Sequence, residues 1–140
     1  MSERYTSPEL SRGLEEAGVN QAGPCSWCFA RADISPRLID PILARHHYEL
    51  CPQYQQDGLT HARALDLTDV LHDLTRPRPE EADTRPLCNS WNLDASSGCR
   101  MFRIITFDDE DLLTATRDGA TAVEAAGLVL LALLRERRGK

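Results

Sequence analysis

Four residues in the first half of the chain have types and a spacing that could bind a zinc ion. Cys25 and Cys28 form a Cys-x2-Cys pair, and His46 and Cys51 follow further along the chain. Such a pair presents two thiolates to one tetrahedral metal, and a second pair can complete the four ligands of structural zinc. His47 could take the place of His46. One hypothesis is therefore a zinc-stabilised small binding domain, with zinc as its possible cofactor.

The same two cysteines also fit a buried strand, which is the interpretation we favour. Cys25 and Cys28 flank Trp27, and this mixture of small and aromatic residues suits a half-buried pleated surface. Residues three apart in a strand point to opposite faces, so a strand and a zinc knuckle exclude each other here. The spacing of His46 and Cys51 is helical, and no glycine follows the first pair to permit a tight turn.

No pattern in the sequence predicts a catalytic site. A redox Cys-x2-Cys pair needs a helix that begins at the pair, and no helix is predicted there. A cysteine nucleophile with a histidine base has no local signature, although four histidines are present. The sequence also has no phosphate-binding glycine-rich loop, Gly-x-Ser-x-Gly elbow or His-Glu-x-x-His motif. We therefore expect a protein that is not an enzyme.

An acidic run follows a predicted strand and is the candidate site for a partner. It consists of Asp108, Asp109, Glu110 and Asp111. Such a run could bind a hard cation or present a negative patch to another protein. Its spacing does not match an EF-hand loop, and a solvated turn that ends the strand is the simpler interpretation.

Charge and composition favour a protein partner over nucleic acid. The chain has 140 residues, with 16 basic and 22 acidic side chains and a net charge of -6. This length suits one small domain, residues 1–140. Nucleic-acid binding is not expected, because phosphate contacts need local positive charge.

The expected compartment is the cytoplasm, with no membrane association. The first ten residues lack the basic start and the apolar run of a signal peptide. The longest apolar stretch, Ala122 to Leu134, is shorter than the roughly 20 residues of a membrane helix. In the cytoplasm, the five cysteines would stay reduced.

Three helices are predicted, the first two from capping residues and all three from apolar spacing. The first runs from Pro8 to Ala17 after Ser7, the second follows Asp66, and the third covers Thr121 to Arg137. A fourth, shorter helix is predicted from Pro41 to Tyr48. The apolar face of the third includes Leu130, and this helix should be the most buried.

The strands and one loop complete the predicted architecture. Cys25 to Arg31 reads as a strand, and Leu87 to Leu93 with Cys99 to Phe107 reads as a β-hairpin. Residues 75–86 are Pro-rich and charged, which indicates a flexible loop. The predicted class is α+β: a small antiparallel sheet, made of the hairpin plus one strand, packed against about three helices.

The order of these features along the chain is similar to that of a known group of proteins. An LSRGLEEAGV helix leads to an aromatic segment with Trp27, followed by the LDLTDVLHDL helix, a Trp-bearing hairpin and a closing DGATAVEAAGLVLLALLRE helix. Over most of the chain this series resembles small uncharacterised proteins of phage and prophage genomes; residues 32–60 and the Pro-rich loop depart from it. The resemblance implies a small cytoplasmic accessory protein of mobile-element type and no particular activity. It also places Cys25 and Cys28 where aromatic strand residues would lie.

Overall fold

The computed structural model describes residues 4–19, 25–28, 37–39, 61–96 and 100–139. Within these ranges the chain forms three helices and six strands. In chain order they are α1 (Pro8–Glu16), β1 (Cys25–Cys28), β2 (Arg37–Ile39), β3 (His61–Ala64), α2 (Leu67–Thr75), β4 (Ser90–Ser96), β5 (Met101–Phe107), β6 (Leu113–Gly119) and α3 (Ala122–Arg138). The predicted helix from Pro41 to Tyr48 lies outside the described residues.

All three predicted helices are present. The first two begin directly after their predicted caps, and the third begins one residue after its predicted start, with Thr121 as its cap. The side chains of Ser7, Asp66 and Thr121 each accept a hydrogen bond from a backbone N–H in the first turn. At α2 the cap is reciprocal, because Asp69 N–H donates to Asp66 over 2.8 Å and the Asp69 carboxylate accepts from the Asp66 N–H. These caps satisfy donors that a helix cannot satisfy internally, which is why a local pattern located the helix starts.

The strands form two antiparallel sheets, in the orders β2-β1-β3 and β4-β5-β6. The α+β class is therefore confirmed, but β1 joins a different sheet from the hairpin. The hairpin itself is present with a shifted first strand, which runs to Ser96 instead of ending at Leu93. Asp94 and Ala95 look like turn residues in the sequence, yet they pair with Arg103 and Phe102 of β5. Pairing across the sheet overrides their local preference.

Three strands were not predicted: β2, β3 and β6. The sequence of β2, Arg-Leu-Ile, is only three residues long and lies between Pro36 and Pro41, so it has no extended run typical of a strand. β3 reads His-Ala-Arg-Ala, and β6 ends in Arg117, Asp118 and Gly119, so neither shows a run of residues typical of strands. Each is a strand because a neighbouring strand supplies its hydrogen-bond partners, which is information that lies far away in the sequence.

Helix α3 is the centre of the hydrophobic core, as predicted. It packs on β5 and β6 on one side and contacts α1 and α2 on others. Nine of its residues are buried, against three in each of the other two helices. Leu130 and Val129 are fully buried, and on β5 so is Ile104, whose side chain points at the helix layer. Burial alternates along β5, because Ile104 and Thr106 are buried and their neighbours are more exposed.

A buried polar cluster around Thr6 joins α1 to the first sheet. The Trp27 indole N–H donates to the Thr6 carbonyl over 2.8 Å, and the Thr6 hydroxyl accepts from the Leu65 N–H over 3.1 Å. Ser11 lies 2.6 Å from the same hydroxyl. Trp27 is thus a core anchor. The other tryptophan, Trp91, lies on the edge strand β4, and its side chain is 37% exposed.

Candidate functional site

The acidic run forms a tight turn between β5 and β6, and Asp108 organises it. The Asp108 carboxylate accepts backbone hydrogen bonds from Glu110 and from Leu112, each over 2.9 Å. The Asp108 N–H donates to the Leu112 carbonyl over 2.9 Å, and Asp111 takes up a φ of 60°. Aspartate suits both roles, since its short side chain bonds to the nearby backbone and tolerates the left-handed conformation. The predicted turn at the end of a strand is therefore confirmed.

The other members of the run project from this turn. Asp109, Glu110 and Asp111 are exposed, whereas Asp108 is half-buried. The next two residues, Leu112 and Leu113, are each 59% exposed. The turn therefore presents three carboxylates beside two apolar side chains. We call Asp108–Leu113 the acidic-leucine turn. The acidic residues were identified from the sequence, but the exposure of the leucines was not.

Exposed apolar residues concentrate on the sheet that carries this turn. In the described ranges, the large apolar side chains that are exposed all lie on β4, β5 or β6 or in the turn between β5 and β6: Trp91, Leu93, Met101, Leu112 and Leu113. These residues share one sheet but not one face, because Leu93 lies opposite Ile104, whereas Met101 is three residues from Ile104 on β5 and so points the other way. A scattered exposed leucine is ordinary, but neighbouring exposed apolar residues, such as Leu112 with Leu113, are typical of interaction sites. The sequence predicted strands in this region and gave no sign that these side chains would stay exposed.

The predicted zinc ligands are only partly placed by the structure. Cys25 and Cys28 are the two ends of β1, so both have a strand conformation. In a strand, two residues three apart point to opposite faces and do not form a zinc knuckle. His46, its substitute His47, and Cys51 lie outside the described residues. Among residues that the structure does describe, no group of three or more His, Cys, Asp or Glu side chains could hold a metal ion. The zinc site stays a prediction.

The Pro-rich segment after α2 carries a cluster of ion pairs that the sequence analysis missed. Arg78 is buried and donates to the Asp73 carboxylate over 2.8 Å and to the Asp73 carbonyl over 3.0 Å. Arg76 binds the other oxygen of Asp73 over 2.7 Å. Hydrogen bonds to Glu80 and Asp73 raise the pKa of Arg76 above its ordinary value. A flexible loop was predicted for residues 75–86, and its mobility stays a prediction.

The last turn of α3 holds the far end of this segment. Arg137 donates to the carbonyls of Arg85 and Pro86, over 2.7 and 3.1 Å. Its guanidinium nitrogens also lie 3.9 Å from a carboxylate oxygen of Glu81 and 3.8 Å from one of Asp83. Arg137 was predicted to favour the negative end of the helix, and its position there lets it also bind the loop backbone.

A cleft of about 570 Å³ lies between the loop and the end of α3. It is lined by Glu81, Ala82, Asp83, Leu134, Arg137 and Arg138. Its charged groups bind one another or the backbone: hydrogen bonds from Arg85 hold the pKa of Asp83 well below its usual range, and Arg138 donates to the Glu16 carbonyl over 3.3 Å. The first of these bonds lies within the loop and the second joins α3 to α1, while the bonds of Arg137 join the loop to α3. The cleft is therefore a structural junction.

Cys88 is a free thiol, buried at the junction of α2 and β4. Its N–H donates to the Leu74 carbonyl over 3.1 Å, and burial raises the pKa of the thiol to about 11. Since the thiolate is the nucleophile, a thiol with this pKa is almost wholly protonated and inert near neutral pH. Cys88 is therefore a packing residue.

Comparison with known proteins gives no further assignment. The chain has no significant match among protein-family models, curated proteins or solved structures. Across the described residues, no helix is both long enough and apolar enough to cross a membrane.

Proposed function

We propose that the chain is a non-enzymatic, cytoplasmic module that binds another protein through the acidic-leucine turn. The observation that carries the proposal is the 59% exposure of both Leu112 and Leu113 at the end of a sheet that also bears the other exposed apolar residues. Apolar side chains supply affinity when a partner removes them from water. The mobile-element role implied by the resemblance is a further proposal, for which the acidic surface is the supporting feature.

The construction of the turn supports binding. Its backbone is held by the bonds to Asp108, so little conformational entropy would be lost when a partner docks. Asp109, Glu110 and Asp111 are exposed next to the leucines in the turn and carry negative charge, and the chain as a whole carries -6. We expect a partner with an apolar pocket bordered by Lys or Arg, because complementary charge speeds association and excludes wrong partners.

Site-specific photo-crosslinking tests this function. A photo-reactive amino acid at Leu113 should give a discrete adduct with one protein in a lysate of the source organism. The adduct should decrease as salt concentration rises, and it should disappear in the Asp109→Lys/Glu110→Lys variant. The matched control has the same photo-reactive group at Glu15, which is exposed on α1. Adducts identical to those of the control, or unaffected by the charge reversal, would contradict the proposal.

A further inference from the structure

Strand β4 is an edge strand whose side chains are uncovered. In the order β4-β5-β6 it lies at one side of the sheet, and all its side chains from Trp91 to Ala95 are exposed. The outer edge of such a strand presents backbone N–H and C=O groups that can pair with a further strand. Soluble proteins usually protect such edges with charged side chains, above all lysine, with proline or with a bulge. The sequence of β4, Ser-Trp-Asn-Leu-Asp-Ala-Ser, contains neither lysine nor proline, and its one charged residue, Asp94, lies opposite Arg103 of β5.

The apolar side chains of β4 lie on the face of the sheet that carries α3. Trp91 is directly opposite Thr106, and Leu93 is directly opposite Ile104, and both of these β5 residues are fully buried. Residues directly opposite in an antiparallel pair share a face. However, α3 packs on β5 and β6, and Trp91 and Leu93 remain 37% and 39% exposed. The apolar layer of the sheet thus extends one strand beyond the helix that covers it.

We propose that a second copy of this chain pairs with β4 in antiparallel orientation, about a two-fold axis at Leu93. This register uses all seven residues of the strand. It places each residue of one copy opposite a residue of the other, in these pairs: Ser90 with Ser96, Trp91 with Ala95, Asn92 with Asp94, and Leu93 with Leu93.

Side-chain chemistry selects this register. The bulky Trp91 lies opposite the small Ala95 of the second copy, and the two Leu93 side chains meet at the axis. On the other face, the Asn92 amide can donate to the Asp94 carboxylate. An axis at Asp94 would oppose two carboxylates, which is destabilising. An axis at Asn92 would leave the last two residues of the strand without partners.

The symmetry also provides a cover for the exposed apolar layer. An axis perpendicular to the sheet places the two α3 helices on the same side of one continuous six-stranded sheet. Trp91 and Leu93 from both copies then lie together in the space between the helices. The acidic-leucine turns lie at opposite ends of the joined strands, because β4 begins beside Phe107, at the end of β5. The acidic residues of the two turns are thereby kept apart.

The first experiment measures mass in solution. We expect light scattering after gel filtration to give twice the 15.7 kDa of one chain. Leu93→Lys places two positive charges at the axis and should give a monomer that still unfolds cooperatively, with a melting temperature that no longer depends on protein concentration. Met101→Lys is the matched control, since Met101 has the same 39% exposure but lies on the central strand β5; it should remain a dimer. A wild-type chain that is monomeric in solution overturns the proposal. This outcome includes a chain whose β4 edge binds a peptide of another protein and does not bind a second copy. A dimer that persists in Leu93→Lys also overturns it.

The second experiment tests the register. Opposite Cα atoms are about 4.5–5.5 Å apart in an antiparallel pair, within reach of a disulfide. A mixture of Asn92→Cys and Asp94→Cys chains should therefore form a disulfide-linked dimer under mild oxidation, with the 92–94 link identified by mass spectrometry. Either variant alone should form several-fold less of the disulfide-linked dimer. Position 92 of one copy lies opposite position 94 of the other, so two cysteines at the same position are two residues away from direct opposition. The wild-type chain, with its five native cysteines, gives the background. Equal yields in the mixture and the single variants overturn the proposal.

Discussion

At the scale of single residues, the most consequential contact is the buried ion pair of Asp73 and Arg78. Their side chains are 2% and 3% exposed. Both charges have lost their hydration, and each is stabilised by the other and by further hydrogen bonds. This pair was not predicted from the sequence, since Asp73 reads as a polar residue on α2 and Arg78 as part of a charged loop. The two meet because the chain turns back after α2, which no local pattern encodes.

Removing one partner of this pair should destabilise the protein strongly. Arg78→Met leaves the Asp73 carboxylate buried with Arg76 as its remaining cationic partner, and we expect a loss of about 3 kcal/mol in the free energy of unfolding. The measurement is the urea concentration at the unfolding midpoint. Arg85→Met is the control: Arg85 also pairs with an aspartate, Asp83, but is 79% exposed. Exposed pairs contribute about 0–1 kcal/mol. Equal losses in the two variants would show that burial does not determine the effect.

At the scale of elements, the sequence predicted what is local. The starts of α1 and α2 were predicted from Ser7 and Asp66, because a cap acts within one turn of its own helix. Helix α3 was predicted from its apolar spacing, which is also a local pattern. Strand β6 was missed, since its membership of the sheet depends on β5, and most of its side chains are exposed. The same distinction applies to the surface features. The acidic residues of the turn were predicted because they form a local pattern. The exposure of β4 was not predicted, because it depends on how far α3 extends across the sheet.

The junction of β6 and α3 gives a prediction at this scale. Gly119 ends β6 beneath the start of the helix, and a Cβ there would lie 2.6 Å from the backbone nitrogen of Ala125. Backbone cannot move aside as a side chain can, so Gly119→Ala should shift strand and helix apart and cost roughly 1–3 kcal/mol. Gly139→Ala is the control, because its Cβ would meet ordinary contacts at 3.5 Å. Thermal unfolding of both variants measures the difference; an unchanged melting temperature for Gly119→Ala would refute the close approach.

At the scale of the whole molecule, α3 connects the parts into one core. Its buried side chains join those of α1, α2, β5 and β6 in one cluster. If this cluster governs folding, the described elements should unfold together and not in stages. Circular dichroism reports the helices, and tryptophan fluorescence is sensitive to Trp27, whose indole is buried in the Thr6 cluster. Coincident transitions by the two methods would support the prediction that residues 1–140 form a single domain.

Leu130→Asp tests this central role directly. Leu130 is fully buried, and a carboxylate there would have neither water nor a cationic partner, at a cost of several kcal/mol. Because small domains are stable by only about 5–15 kcal/mol, we expect both signals to lose their cooperative transition together. Leu112→Asp introduces the same charge at a leucine that is 59% exposed, and it should keep a melting temperature close to that of the unmodified chain. Cooperative melting of Leu130→Asp would mean that α3 buries a different face, and loss of only one signal would mean that the two sheets fold independently.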